Sequence, residues 1–494
     1  MTTTRLITAP APAPVCTTAR LRQLEAQWQG QCPRPLMDLA GLAVARLALA
    51  LAPHARQICV LAGPGNNGGD GLEAALHLHN WGRPIHVRLY AHPDQLPVDA
   101  RRAYDRALEA GVPLHSPQVP WSLGPADLCI DALLGLGSTR EPEGALREAI
   151  AQINQSPATV LAVDTPTGLN PDNGQTFGSG NSVVRADHTL TLLAAKPGLL
   201  MGSGRDMCGQ LWLDTLQLPD ALWQSTPPDA LINAPSDANP IAHASHKGTR
   251  GDVAIVGGQS QEGSSTGMTG AAVLAATAAL HTGAGRVILS LLGPAPVGGA
   301  LPPDVMLSSI DALDLPRMTV VAGCGGGQAM AAPMGRLLQY SARLVLDADA
   351  LNMVAKDPWL QDLLKRRPPR TTILTPHPLE AARLLGTHTT QVQDDRLNAA
   401  QTLAQRFGCC VALKGSGTVL ACPGETSRIN TTGNGRLATG GTGDVLAGMV
   451  GARLAQSHDA WSAVMHAVWE HGQRADAWPP SRTLTASALA TAND

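Results

Sequence analysis

Residues 440–444 read Gly-Gly-Thr-Gly-Asp and lead into a helical pattern. Such a run ahead of a helix offers consecutive backbone N–H groups to an anion. A carboxylate beside a bound anion repels it, unless the carboxylate is there to take a proton. Asp444 is therefore read as a general base next to a phosphoryl cradle that includes Gly443. The segment Lys414-Gly415-Ser416-Gly417-Thr418 follows a predicted strand and offers an ammonium and flexible backbone to a nucleotide's phosphates. No G-x-x-x-x-G-K-[ST] occurs, which excludes a P-loop kinase. Two further strand ends carry His377 with Glu380, and Asp347 with Asp349 and Asn352. A lone histidine is more often a hydrogen-bonded structural residue, and a strand-end carboxylate can be no more than a helix cap.

The first half raises the same question. "GPGNNGGDG" at 63–71 satisfies G-x-G-x-x-G through Gly63, Gly65 and Gly68. A dinucleotide reading also wants an acidic residue at the end of the second strand, and Asp94, behind a proline, serves poorly. Amides and N–H groups at a helix start make an anion cradle, in which Asp70 wants a cation, a hydroxyl or a backbone donor. The bland alternative is a glycine turn with Asp70 as cap. Asp131 and Asp164 lie at two more strand ends, so Asn66, Asn67, Asp131 and Asp164 converge on one rim of a parallel sheet.

The elements that must position these groups follow from the apolar pattern. Strands are expected at 58–62, 85–90, 128–134, 159–165, 188–195 and 211–218, with helices between most of them. The pattern fails over 218–251, rich in Pro, Ala, Asp and Ser. It resumes with strands at 252–258, 286–293, 319–325, 343–351, 371–378 and 409–417, then a hairpin and helices. The small-residue helix at 265–285 is expected to pack closely on the sheet. Two α/β domains result, residues 1–225 and 245–494, with 226–244 as linker.

Composition narrows the function. A chain of 494 residues with net charge −3 lacks the basic block that nucleic acid demands. The nine cysteines show no C-x-x-C spacing, so zinc and redox sites are not expected, and most read as small buried hydrophobes in a reducing cytosol. The N-terminal tail lacks an apolar h-region, and the stretch 39–53 is interrupted by Arg46 and too short to span a bilayer. A cytoplasmic protein with no membrane partner is expected.

In "GPGNNGGDG", "DALLGLG" and "VDTPTGLN" the first half resembles the NAD(P)H-hydrate epimerase domain, a Rossmann-like αβα fold. That resemblance implies that Asn66, Asn67, Gly68, Gly69 and Asp70, with Gly135, Leu136, Gly137, Ser138, Thr139, Arg140 and Glu141, hold the hydrated dinucleotide. It implies that Asn67, Asp131 and Thr167 ligate potassium and that Asp164 acts on the substrate. Amide, carboxylate and hydroxyl are hard oxygen donors, which suits such an ion. Thr167 stands where the family more usually has Ser, and Leu134 and Leu136 stand where it has Phe and Thr.

The second half, through "HKGTRGDVAIVGG", "VLDADALN", "TPHPLEAARLLG", "LKGSGTVLA" and "TGNGRLATGGTGDVLAG", resembles the ADP-dependent NAD(P)H-hydrate dehydratase domain of the ribokinase-like superfamily, also αβα. Its implied substrate contacts are Ala271, Gly325, His377 and Asp444, and its nucleotide contacts Lys414 to Thr418 and Gly443, with ADP and magnesium. Cys324 and Gly326 depart from the usual Pro and Leu. The resemblance implies a repair enzyme that epimerises hydrated NADH or NADPH and dehydrates the S form, and that assembles as a homo-oligomer. Two other classes stay open: a sugar or vitamin kinase fused to a nucleotide-binding domain, and a nucleotide-sensing module without turnover. The carboxylates Asp164 and Asp444 argue against the last.

Overall fold

The structure is a computed structural model that describes residues 4–7, 12–178, 180–235, 242–260, 267–293 and 301–492. The chain divides into two compact units, Met1–Leu231 and Ile232–Asp494. Residues 236–241, within the expected linker, and 265–266, at the start of the expected small-residue helix, lie outside the described residues.

The first unit is built on six parallel strands: β1 Ile58–Ala62, β2 Ile85–Leu89, β3 Leu128–Ala132, β4 Thr159–Val163, β5 His188–Leu192 and β6 Gln210–Asp214. Their order across the sheet is β6-β5-β4-β3-β1-β2. Every one begins within a residue of its expected start, because these runs are apolar and rich in β-formers. Except for β1, the expected ends overshoot, because residues such as Leu133, Leu134 and Leu193 are apolar but already turn into loops. Alternation divides the core: Ile58, Val60 and Ala62 join one apolar cluster, Cys59 and Leu61 another. The first cluster lies under helices Thr18–Gln29, Leu36–Leu51, Asn66–Asn80 and Val98–Glu109, the second under Ala145–Gln155. Three layers result, and the order reverses between β1 and β3, where an open parallel sheet forms its ligand crevice.

A side chain on Gly41 would run into Glu73 of the neighbouring helix. Glycine there lets Leu36–Leu51 and Asn66–Asn80 pack closely, which fixes the helix that begins the cradle. Residues 14–20 and 229–231, near the two ends of this unit, are tied together, and Arg5–Leu6 ahead of them pair antiparallel with β6. Pro14 and Val15 pair antiparallel with Leu231 and Ala230. Asp229 accepts from the Thr17 backbone N–H at 2.8 Å and from its hydroxyl at 2.9 Å, and pairs with Arg20 at 3.3 Å. The strand Ala230–Ile232 falls in the stretch that shows no period, since three residues are too few to show one.

The second unit carries β7 Asp252–Gly257, β8 Arg286–Leu291, β9 Val305–Leu307, β10 Thr319–Ala322, β11 Arg343–Leu346, β12 Thr372–Leu374, β13 Cys410–Leu413, β14 Val419–Ala421 and β15 Ser427–Ile429. They run in the order β9-β8-β7-β10-β11-β12-β13-β14-β15. Pairing is parallel as far as β13 and antiparallel beyond it. Helices Thr269–His281, Thr442–Ser457 and Ala460–Asp476 cover one face through Val253, Ile255, Val287, Val321 and Val345. The small residues of Thr269–His281 work as expected: any side chain on Gly448 would strike the Ala275 carbonyl. That close approach sets where the Gly-Gly-Thr-Gly-Asp helix starts. The cysteine expectation needs one correction. Seven cysteines are free, but Cys410 and Cys422 are joined, because the β13–β14 register sets them opposite each other.

Among the described residues no helix is long and apolar enough to cross a membrane.

Candidate functional site

In the first unit a cavity of about 680 Å³ opens at the carboxyl ends of the central strands. Asn66, Asn67, Asp70, the loop Gly135 to Glu141, and Asp164 line it. Gly68 and Gly69 do not. They lie behind it, where Gly68 packs on Gly63 and Gly69 on Met37 and Ala100. Asp70 is no helix cap. Gly65 holds the cap position of Asn66–Asn80 without a side-chain bond, which leaves the first N–H groups of that helix uncapped. Burial pushes the Asp70 carboxyl well above its usual range, and the charges of Asp164, Glu25 and Glu73 add to this.

Asp131 is fully buried at the end of β3. One oxygen accepts from the Thr167 hydroxyl at 2.7 Å, the other from the Thr167 N–H at 2.9 Å. The Leu134 N–H then donates to the Thr167 oxygen at 3.0 Å. Burial raises the Asp131 carboxyl, and the bonds from Thr167 and Leu133 oppose the rise. Among the described residues no Lys, Arg or His lies within ion-pair distance of it. Asn67, in van der Waals reach of Gly135, is 9% exposed, and its amide nitrogen is buried without a partner.

Asp164 sits just past β4 with φ +66°, a left-handed conformation that costs a non-glycine residue energy and is held by its surroundings. Its Oδ1 accepts from the Leu192 N–H at 3.1 Å and forms an ion pair with Lys196. Lys196 is completely buried and also donates to the Thr191 hydroxyl at 2.8 Å and the Leu192 carbonyl at 3.1 Å. Sequence reasoning missed this lysine, which sits in "LLAAKPGLL" at the end of an apolar run. A lysine directly after a fully buried strand is the signal that was there. With Oδ1 so engaged, the other carboxylate oxygen of Asp164 is left for a ligand in the cavity.

In the second unit four successive strand ends deliver Cys324 (β10), Asp347 (β11), His377 (β12) and Lys414 (β13). Lys414 Nζ donates to Asp347 Oδ1 at 2.6 Å. Burial works against the ammonium, but the charges of Asp347 and Glu380 outweigh it and hold the amine above its ordinary value. The three groups Cys324, Asp347 and Asp444 bring one ligand atom each within 4.8 Å of one another. Burial raises the Asp444 carboxyl and the Asp347 charge raises it further, while a hydrogen bond from Cys324 opposes the rise. Gly441, φ +92°, occupies the cap of Thr442–Ser457 with no side-chain cap bond. The cradle is thus open, and Asp444 in its first turn caps nothing. A Cβ on Gly443 would lie 3.5 Å from Lys414 Nζ, so cradle and ammonium face one another.

In the loop from Gly415 to Thr418, Gly415 and Ser416 are exposed and Gly417 is buried, with Gly415 at φ +140° and Gly417 at φ +69°. Arg396, 5% exposed, braces it from beneath by donating to the carbonyls of Leu413, Lys414 and Gly417 at 3.1, 3.2 and 3.3 Å. Nothing local in its helix points to that role. His377 is a helix cap, as a lone histidine usually is: its Nδ1 accepts from the N–H groups of Leu379 and Glu380 at 3.1 and 3.3 Å. Glu380 completes the capping box, and burial together with Asp347 pushes its carboxyl up to about 7 against the pull of Lys414. Asp349 accepts from the Gly327 N–H at 2.8 Å and Asn352 from Arg383 at 2.6 Å, so both are structural. Gly325, φ +60°, fits under Met268 and Ala271, where a side chain would clash.

Comparison with known proteins agrees with this division. Residues 33–198 match the family described as YjeF-related protein N-terminus, and residues 253–493 match the one described as NAD(P)H-hydrate dehydratase. The bifunctional NAD(P)H-hydrate repair enzyme of Escherichia coli (strain K12) is 36% identical over 418 residues, covering 82% of this chain and 77% of that protein. The enzyme of the same description from Vibrio cholerae is 34% identical over 487 residues and 94% of either chain. Among solved structures, the ADP/ATP-dependent NAD(P)H-hydrate dehydratase of Bacillus subtilis co-crystallised with ATP and Mg2+ is 29% identical over 51% of this chain and 91% of its own, with a TM-score of 0.42.

Proposed function

Because the chain belongs to the family of bifunctional NAD(P)H-hydrate repair enzymes, we propose that its first unit interconverts the R and S epimers of NADH or NADPH hydrated at C6. Its second unit dehydrates the S form with ADP, giving AMP and phosphate. The observation that carries this reading is the pairing of an open anion cradle with a carboxylate, Asp444, that caps nothing and whose burial favours a proton.

In the second unit Asp444 takes the proton of the 6-hydroxyl as that oxygen attacks the β-phosphorus of ADP. The bond from that phosphorus to the bridging oxygen breaks, and AMP leaves. The cradle N–H groups and Lys414 face the charge that gathers on the transferring group. Lys414 is held in place by Asp347, and the loop Gly415 to Thr418 by Arg396. Hydroxide is a poor leaving group and phosphate a good one. The ring nitrogen pushes phosphate off C6, and loss of the C5 proton restores the reduced ring. Magnesium, when bound with the nucleotide, would neutralise charge on its phosphates.

In the first unit the free oxygen of Asp164 faces the substrate and Lys196 holds the other. Protonation of the departing hydroxyl through this pair gives a nitrogen-stabilised cation at C6, and return of water to the opposite face gives the other epimer. Potassium, when bound, would offer a positive centre to the cavity floor. Asn67, Asp131 and Thr167 suit it, since Asp131 is a buried carboxylate without a basic partner among the described residues and all three supply oxygen.

The test is to incubate the protein with both epimers of hydrated NADH, ADP and magnesium. Reduced-nicotinamide absorbance should recover for the whole mixture, with AMP and phosphate formed in equal amounts. Accumulation of a stable phosphorylated product would overturn this in favour of a sugar or vitamin kinase.

A further inference from the structure

The first unit has a second cavity, of about 610 Å³, that shares no residue with the one around Asp164. Its walls include Gln57, His86, Arg88, His115, Trp121 and Ser122. His86 and Arg88 lie two apart on β2 and so share a face, and Arg88 pairs in register with His115 on the edge strand Leu114–His115. Gln57 and Ser122 precede β1 and β3. In register His86 stands beside Cys59 and Arg88 beside Leu61, so the cavity lies against the sheet face that carries those two residues, next to the edge strand.

Arg88 is only 6% exposed. Its terminal nitrogens donate to the carbonyls of Val119 and Pro120 at 2.9 and 3.4 Å, while Nε is buried without a partner. The guanidinium also hydrogen-bonds the Cys59 thiol, but a neutral thiol is a weak acceptor and brings no counter-charge. Among the described residues no carboxylate lies within ion-pair distance of Arg88. The acid that acts on the cluster, Asp127, is already engaged by Gln57 at 2.8 Å and by the Gly124 N–H at 2.7 Å. Burial, then the charges of Arg88 and His115, push the His86 imidazole down. A buried cation without a counter-charge is costly, and here two imidazoles stand around it. Bracing of the Val119–Pro120 loop accounts for the terminal nitrogens of Arg88. It does not account for the orphan Nε or the two histidines.

We propose that this cavity binds a phosphate-type oxyanion, with Arg88 as the fixed charge and His86 and His115 as flanking donors. The anion is either inorganic phosphate or the phosphoryl group of a nucleotide lying against Trp121, and the chemistry shared by both is the tetrahedral dianion.

Isothermal titration of the full chain with inorganic phosphate, and separately with AMP, at constant ionic strength tests it. The comparison protein is the His86→Gln/His115→Gln double variant, which leaves the buried arginine and both proposed active sites intact. Binding should weaken about tenfold or more in the variant, the scale of losing charge-assisted hydrogen bonds. Its melting temperature and its rate of cofactor recovery should stay unchanged. Equal weakening of both ligands means that the phosphoryl group is read alone, a larger weakening of AMP means that the nucleoside is read too, and weakening of AMP with phosphate unchanged would overturn the proposal. Equal affinities of parent and variant for both ligands would overturn the proposal. Should the double variant melt lower, Trp121→Phe replaces it, with loss of the phosphate- or AMP-induced fluorescence change as the readout. A fluorescence change as large in Trp121→Phe as in the parent overturns the proposal as well.

Discussion

Replacing Lys196 by Met keeps an unbranched side chain, one atom shorter, and removes the ammonium with its charge and its hydrogen-bond donors. The ammonium is wholly buried, and its partner Asp164 is 6% exposed, so solvent screens this pair very little. Taking one partner from a buried ion pair typically costs about 3–5 kcal/mol, most of it from the charge left behind. Here the loss is compounded by the Thr191 hydroxyl and the Leu192 carbonyl, which give up their donor. For a unit of this size each kcal/mol moves the melting point by about 2–4 °C, so the first unit should melt about 6–20 °C lower. Differential scanning calorimetry of the full chain reads this as a shift of one transition while the second unit's stays in place. Asp164→Asn alone should also destabilise, by stranding the ammonium. The double variant carries no charge and should recover much of the loss, with a coupling of about 2–3 kcal/mol. Epimerisation should fall at least about 100-fold in Lys196→Met, while dehydration of pure S epimer is unaffected. A drop under about 2 °C, or strictly additive single and double variants, would refute the buried pair as an energetic unit.

Asp444→Asn should lower dehydration by about two to four orders of magnitude, while epimers still equilibrate by chromatography; retention of more than about a tenth of the rate would remove its role as base. Asp131→Ala should weaken epimerisation and its response to potassium and leave dehydration alone, and an epimerase indifferent to potassium in the parent would contradict the ion site. The Glu380 carboxyl, pushed by burial from its ordinary 4.5 up to about 7, resists ionising in the fold, so the stability this group contributes is fully present below pH 4.5 and is lost as pH rises toward 7. Glu380→Gln keeps the capping box and removes that penalty. Chemical denaturation should find the variant gaining on the parent between pH 4.5 and 7, by about 3 kcal/mol at most; parallel pH profiles would show that the carboxyl titrates normally.

The central strands were legible because each is a short apolar run after a turn, and that pattern survives burial on both faces, whereas the two- and three-residue edge strands Leu114–His115 and Val305–Leu307 are too short to show it. The rim that carries Asn66, Asp131 and Asp164 followed from it, since a parallel sheet presents its strand ends together. Lys196 was not legible as a partner of Asp164. The lysine follows β5 and the aspartate follows β4, and only the parallel pairing of the two strands sets them side by side. Arg396 was hidden for a related reason, since it reaches a loop 17 to 21 residues away in sequence. The disulfide between Cys410 and Cys422 needed the hairpin register, which spacing alone does not supply. The alternative of Asp70 as a cap falls away, because in the fold Gly65 takes that place and leaves the helix start open.

The knot of contacts that joins Pro14–Val15 and Thr17 to Asp229–Leu231 has a consequence for how the first unit can be handled. Residues 14–17 and 229–231 meet at one spot, tied by strand pairing and by a carboxylate that serves Thr17 and Arg20, while Arg5–Leu6 ahead of them pair with β6. A unit closed in this way behaves as a cassette. It can be spliced into a host loop, or opened elsewhere and rejoined at its native ends, with little demand on the linker. A cut at residue 225 discards the half of the clasp that lies at 229–231, so a transplantable segment has to run through Leu231. Severed there, the unit keeps its clasp, and with it the docking of the helix Thr18–Gln29 that carries Glu25 to the wall of the Asp164 cavity.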